Sequence, residues 1–409
     1  MVKKKEKMTL KRDLNLFFVV VSGVGIILGA GIYALIGIAA GETGNTIWLS
    51  FLVSAVVAAF TGLSYAELSS MFRGDAGEYD YCKHAFGKKF SIFVSLLIIL
   101  TGAVSAATVA LGFAGYFSSL VPIGYLASAI GIILLMTAIN YWGISESKMF
   151  TLVATIIEFV GLIIIILLGF GHYGSVELFD MPNGFIGVLK AGALLFFAFM
   201  GFETIIKLRE ETKNPSKTIP KAIVISIFVT AVLYILVAIA AVSIIPYTKL
   251  AASQSPLSDV ASVSLGKNAF WILGIIALFA TSSTVLLTML TSSRMMYGMS
   301  MKNSLPGFLC KVHKTRRTPY AAIFLFSVLT LAFAFIKDIE FVADLTTAFL
   351  FLTFAFINLG VIVLRYKDGD EDKERVFKMP LNIGRFPVLA LLGVVTNLIM
   401  LGFSLSNIF

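Results

Sequence analysis

Charge is what this 409-residue chain has little of. Asp, Glu, Lys and Arg together make up 13% of it, about half the share usual in soluble domains. Hydrophobic residues make up 58%, and the mean hydropathy is +0.94, which is more apolar surface than a water-soluble core can bury. There are only two cysteines, Cys82 and Cys310, too few for a disulfide-stapled secreted scaffold. The three histidines, His84, His172 and His313, are isolated and show no metal-ligand spacing. No GxxxxGK[ST] phosphate loop occurs, and no polar stretch is long enough to fold into a nucleotide-holding domain. No cofactor and no metal are expected. A membrane-embedded enzyme would need His, Asp or Cys clustered on facing helices, and that signal is missing too.

What the chain does have is a series of apolar blocks, each near the ~20 residues a helix needs to cross hydrocarbon. Eleven spans are expected, at 15–40, 47–72, 90–117, 123–143, 149–171, 185–207, 219–245, 268–294, 320–336, 340–364 and 386–407. The predicted class is therefore an all-α polytopic protein of the lipid bilayer. The net charge of +9 does not point to nucleic acid, because the basic residues sort by side of the membrane. The side carrying the N-terminus holds 28 Lys and Arg, the opposite side only Lys249, Lys267 and Lys337, and Lys190 lies within a span. Cytoplasmic loops carry such an excess, so the N-terminus is expected in the cytoplasm and, after eleven spans, the C-terminus outside, in the cytoplasmic membrane. The opening MVKKKEKMTLKR runs into the first span without a small-residue cleavage site, so no cleaved signal peptide is expected.

Two spans carry a helix fault. The first reads SGVGIILGAGIYALIG, with Gly29-Ala30-Gly31 at mid-depth, and the sixth reads KAGALLFFAFMGFE, with Gly201 after a run of phenylalanines. Glycine pairs in a span are often mere helix-packing contacts. Here the interval argues otherwise. Span 1 starts inside and span 6 starts outside, so spans 1–5 and 6–10 make two halves of opposite topology, each opening on a faulted helix. That pairing is the pattern of an inverted-repeat transporter with its site between the broken helices. The expected organisation is a basic tail at 1–14, a first repeat at 15–171, a second at 185–364, a cytoplasmic loop at 365–385 and a peripheral helix at 386–409.

The stretch from Gly201 to Ile223, GFETIIKLREETKNPSKTIPKAI, resembles the amino acid–polyamine–organocation transporter superfamily, especially its prokaryotic amino-acid and cationic-amino-acid permeases. The likeness is carried by Phe196, Phe197, Phe199, Gly201, Phe202, Glu203, Glu210, Glu211, Asn214, Pro215, Ile219 and Pro220. GAGIY at 29–33, SYAEL at 64–68, GEYDYCKHAFG at 77–87, NYWG at 140–143 and SSRMMYGMSMKNSLP at 292–306 extend it over nearly the whole chain. The resemblance implies a leucine-transporter-like fold of five plus five spans and alternating access by rocking of spans 1, 2, 6 and 7. Members commonly have twelve spans; eleven are read here, which bears on oligomerisation rather than on the core.

The cargo expected from this resemblance is an amino acid, and the faults suit one. An unwound segment offers free N–H groups where the second half-helix starts and free C=O groups where the first ends. Gly29, Ala30 and Gly31 are the expected carboxylate cradle. Carbonyls around Ile26, Ile27, Phe196 and Ala198 are the expected ammonium partners, and Phe197 and Phe199 the expected gate over the ligand. Glu158 lies ten residues into span 5, roughly 15 Å deep at 1.5 Å per residue. A carboxylate there is costly unless it takes up a proton or a cation, which is what a coupling site requires. Resembling proton-coupled permeases often carry a lysine at this depth, so Glu158 is a departure. It leaves a proton and Na+ both open, with Ser282, Ser283 and Thr284 as hydroxyl donors from span 8. Glu67 and Glu203 are expected in an inner gate with Arg294 or Lys207, and Lys190 and Asp344 are expected to snorkel at the outer ends. Proton symport of neutral amino acids is the leading expectation. Exchange (antiport of amino acids or polyamines) and sodium symport are the alternatives within the class, and a channel the alternative outside it.

Overall fold

Inside a bilayer no water is available to pair with backbone N–H and C=O, so a spanning segment must satisfy them within itself. The computed structural model describes residues 14–72, 77–143, 147–367 and 375–409. The basic tail at 1–14, except for Leu14, lies outside the described residues, as does most of the charged stretch at 367–375. The first span is split into α1 (Leu16–Leu28) and α2 (Gly31–Thr43), followed by α3 (Ile47–Met71). A short helix α4 (Glu78–Phe86) leads into α5 (Lys88–Leu120), α6 (Tyr125–Trp142) and α7 (Ser147–Gly169). The sixth span opens as α8 (Gly184–Leu195), continues as 3-10 helix and is followed by α9 (Pro215–Ile244). Two connecting helices, α10 (Tyr247–Ala251) and α11 (Pro256–Leu265), precede α12 (Lys267–Met301), α13 (Tyr320–Ala334) and α14 (Ile339–Lys367). A hairpin of β1 (Asn382–Ile383) and β2 (Phe386–Pro387) then leads to α15 (Val388–Ile408).

Each of the eleven expected apolar blocks falls on a helix or on a broken pair. By length and apolarity, eight helical stretches among the described residues are able to cross a membrane, and shorter apolar helices occupy Leu16–Leu28, Val153–Gly169 and Tyr320–Ala334. Eight replaces eleven because three expected spans fall short: the first is interrupted, with α2 running nearly unbroken into α3, the fifth counts only as Val153–Gly169, and α13 is short. The three connecting helices α4, α10 and α11 are not legible as spans because they are only five to ten residues long, one to three turns.

α5 is the central post, packed along α12 and α14, while α3 and α1 both lie along α9. Small residues make this closeness feasible. Gly102, Ala103, Ser105, Ala106, Ala107 and Ala110 of α5 are all buried, and a Cβ on Gly115 would come within 2.6 Å of the Gln254 carbonyl.

Asp344 does not snorkel. It is fully buried, with Oδ1 accepting a hydrogen bond from Asn407 Nδ2 at 3.2 Å and Oδ2 without a hydrogen-bond partner among the described residues. The reason is α15, which packs along α14 and α8 and covers this end of α14. Cys82, in α4 outside the spans, is buried too, and burial followed by the nearby Glu78 charge pushes its thiol up to about 12. The thiolate is the reactive form, so a maleimide at neutral pH is expected to label the half-buried Cys310 and spare Cys82. Equal labelling of both in folded protein, read by peptide mass spectrometry, would contradict this packing of α4.

Candidate substrate site at two broken helices

The GAG triplet is where α1 stops. Gly29 takes φ 24° and ψ −162°, a backbone state that side chains oppose, and α2 starts at Gly31 with no side chain capping its N-terminus. In the sixth span α8 ends at Leu195, and Phe196–Phe199 form one tight 3-10 turn. Gly201 then swings to φ 115°, and a Cβ there would sit 2.9 Å from the Ile26 carbonyl oxygen. Beyond it, Phe202–Glu211 run as ten residues of 3-10 helix, where runs longer than three or four are uncommon and often mark a hinge. The two faults meet directly: a Cβ on Gly31 would come 2.5 Å from the Cα of Ala198.

The freed backbone groups have unequal supplies of partners. The Tyr234 hydroxyl of α9 lies 3.1 Å from the Ile27 carbonyl, 2.9 Å from that of Leu28 and 3.0 Å from that of Ala198. One hydroxyl has one proton to donate, so three carbonyls from two broken helices share a single donor. This end of the site lacks donors. The α2 end lacks acceptors: Ala30 N–H donates to Thr284 Oγ1 at 3.2 Å, and Thr284 in turn donates to the Ala280 carbonyl at 2.9 Å.

Glu158 comes to the same place. It is 2% exposed, and its Oε1 accepts from Ser283 Oγ at 3.0 Å. Its backbone carbonyl accepts from the Tyr33 hydroxyl at 2.8 Å, and the Tyr33 carbonyl accepts from Tyr116 at 3.0 Å, tying α7, α2 and α5 together. Of the three span-8 hydroxyls, the structure brings Ser283 to Glu158 and Thr284 to the break. Ser282, about 100° from Ser283 around the helix, makes no side-chain hydrogen bond among the described residues.

The three phenylalanines separate. Phe196 packs on Phe351 and Phe354, with ring centroids 4.6 and 6.0 Å away, and Phe199 lies edge-on to Tyr234 at 5.4 Å. Phe197 is buried with no ring partner among the described residues. Ile27 and Ala198 contribute carbonyls to the Tyr234 cluster. Ile26 instead faces Gly201, and Phe196 contributes a packed ring.

The acids at the basic end have different partners from those expected. Glu67, fully buried at the end of α3, is held by Arg365 of α14 through Nε at 2.8 Å and Nη2 at 2.6 Å. Arg375 Nη1 at 3.3 Å and the Met379 N–H at 2.9 Å complete its shell. Arg365 Nη1 also donates to Asn382 Oδ1 at 2.6 Å, so residues from 375 to the hairpin strap the ends of α3 and α14. Glu203 turns back on its own chain and accepts from the Gly201 N–H at 2.9 Å. Among the described residues neither acid forms an ion pair with Arg294 or Lys207. Sequence reasoning also missed Tyr234 and Tyr33; the signal was there, because a phenol deep in an apolar span needs a partner that water cannot supply.

The model of the amino acid permease family matches residues 14–407. A branched-chain amino acid permease of Bacillus subtilis is 32% identical over 96% of this chain and 89% of its own. The methylthioribose transporter of the same organism is 30% identical over 88% of this chain and 82% of its own. The vacuolar cationic amino acid transporter 4 of Arabidopsis thaliana is 28% identical, over 88% and 64%. The chain belongs to the amino acid permease family, within the amino acid–polyamine–organocation superfamily. It is an integral membrane transporter of amino acids, not an enzyme.

Two substitutions probe the geometry. Tyr234→Phe leaves three carbonyls without their donor, at about 1–3 kcal/mol per buried group left unpaired, and is expected to lower the melting temperature in detergent and cut uptake sharply. Glu67→Gln weakens a buried ion pair, whose disruption typically costs about 3–5 kcal/mol, and is expected to lower the melting temperature by several degrees. An unchanged melting curve in either variant would contradict the corresponding contact.

Proposed function

We propose that the protein is a secondary transporter that carries neutral, aliphatic amino acids by alternating access and proton symport. The observation that carries this reading is the complementarity of the two faults to a zwitterion. An α-carboxylate seeks N–H groups at a positive helix end, and the α2 N-terminus at Gly29, Ala30 and Gly31 has no cap from its own residues and only the Thr284 hydroxyl on the Ala30 N–H. An ammonium brings three donors, and the carbonyls of Ile27, Leu28 and Ala198 share one phenol proton. Phe197 and Phe199 serve as the gate in this reading. The organisation into two repeats, 15–171 and 185–364, supports rocking of spans 1, 2, 6 and 7, with the long 3-10 segment as a hinge.

Glu158 is the coupling residue in this proposal. A proton on its carboxyl removes a costly buried charge, and Ser283 holds the carboxyl beside the first break. The name of the branched-chain permease relative agrees with a neutral cargo; those of the methylthioribose and cationic transporters show that relatives carry other loads. The location is the cytoplasmic membrane with the basic side in the cytoplasm. In sealed right-side-out vesicles an impermeant maleimide is then expected to reach Cys310 only after permeabilisation. Labelling from outside in intact vesicles would reverse the orientation.

The deciding experiment is uptake of a labelled amino-acid panel into proteoliposomes under imposed pH or sodium gradients. An inward proton gradient is expected to drive accumulation of leucine-like substrates, and Glu158→Gln to abolish that accumulation while counter-exchange survives. Accumulation driven by sodium would make Glu158, Ser283 and Thr284 a cation site instead. Stimulation by counter-substrate alone would make the protein an exchanger, and gradient-independent currents a channel.

A further inference from the structure

Arg294, relieved of the acid partner expected for it, opens with Arg316 and Arg317 onto a cavity of about 200 Å³ between the ends of α6, α12 and α13. None of the residues lining it belongs to the two broken spans, and its α12 wall begins at Leu286 and runs to Arg294, away from the Thr284 contact with the first break. Among the described residues no carboxylate lines the cavity and no ion pair joins any of the three guanidinium groups. Below this rim the wall turns apolar, with Ile139, Leu286, Leu290 and Ile323. From Leu286 to Arg294 is eight residues of α12, roughly 12 Å at 1.5 Å per residue. Asn140, 5% exposed, adds one amide whose Nδ2 reaches the Leu286 carbonyl only at 3.5 Å.

The rim is built rather than incidental. The Arg316 guanidinium lies 4.5 Å over the Tyr141 ring and 5.9 Å from that of Trp142, which holds it in place. Arg317 sits in a left-handed backbone state at φ 57°, fixed by its N–H on the His313 carbonyl at 2.9 Å. Thr318 Oγ1 clips the loop to the Tyr141 carbonyl at 3.0 Å. Trp142 is 60% exposed and Phe324, packed on the Tyr141 ring, 49% exposed, as aromatic and apolar residues at a bilayer interface are.

We propose that this cavity binds the phosphate headgroup of an anionic phospholipid, drawn from the leaflet at the basic end of the bundle. Three guanidinium groups with no acidic partner among the described residues suit a phosphate, whose oxygens they meet in a bidentate fashion. The apolar floor suits the start of the acyl chains, which free phosphate would leave unfilled. Basic pockets between helices at this level are of the kind that take lipid headgroups.

The test is native mass spectrometry of protein taken from nanodiscs of equal phosphatidylglycerol and phosphatidylcholine and then delipidated in detergent. Wild type is expected to keep one phosphatidylglycerol per chain. In Arg294→Gln/Arg316→Gln/Arg317→Gln that adduct is expected to fall by roughly tenfold or more. Lys83→Gln/Lys88→Gln/Lys89→Gln, an equal loss of charge at the same end, is expected to keep it. Should the triple arginine variant not fold, Arg294→Gln alone is expected to halve retention or worse. Equal retention of phosphatidylcholine, or an arginine variant that keeps the adduct, overturns the proposal. So does stabilisation of wild type by inorganic phosphate in lipid-free detergent without any by phosphatidylglycerol, which would assign the site to a soluble phosphate.

Discussion

Everything in this molecule answers to the unpaired backbone of its two broken helices. A bilayer offers no water to an exposed carbonyl or N–H, so a fault in a spanning helix survives only where other protein groups take its place. The Tyr234 hydroxyl, among the carbonyls of Ile27, Leu28 and Ala198, and Thr284, on the Ala30 N–H, do that here. Both are partial replacements. One proton serves three acceptors, and one hydroxyl serves the α2 terminus. The fold keeps its faults intact while leaving them short of partners, which is the condition a ligand with complementary charges can use.

The supports come from different parts of the bundle. On the proposed rocking motion, Tyr234 belongs with the broken spans and would travel with them. Thr284 and Glu158, by contrast, belong to the scaffold. The Ala30–Thr284 bond would then have to be remade whenever the bundle moves, while the Tyr234 cluster would not. Gly31 against Ala198 and Gly201 against Ile26 add a steric condition: the two faults approach this closely only because one member of each contact is a glycine.

At the basic end the structure uses charge in two ways. Glu67 satisfies Arg365 and reaches Arg375 and the Met379 N–H in a buried cluster, which ties α3, α14 and the hairpin segment together. Arg294, Arg316 and Arg317 gather instead around a cavity with no acid among its described lining residues. Positive charge on this side therefore is more than a topological signal; part of it is structural and part is presented to the headgroup region.

The amino-acid sequence by itself determined the class of fold, the apolar blocks and the place of both faults. Those rest on local chemistry: runs of about twenty apolar residues, and glycine wherever the backbone leaves the helix. Gly29 and Gly201 are legible because only glycine accommodates their dihedral angles. Tertiary structure alone decided who pairs with whom. Arg365 and not Arg294 meets Glu67, since α14 and not α12 lies beside that end of α3. Asp344 is sealed by α15 rather than snorkelling. Tyr234, an unremarked phenol in an apolar span, becomes the meeting point of three carbonyls. Such pairings join residues up to about 300 positions apart, and no local pattern encodes which helix will be the neighbour.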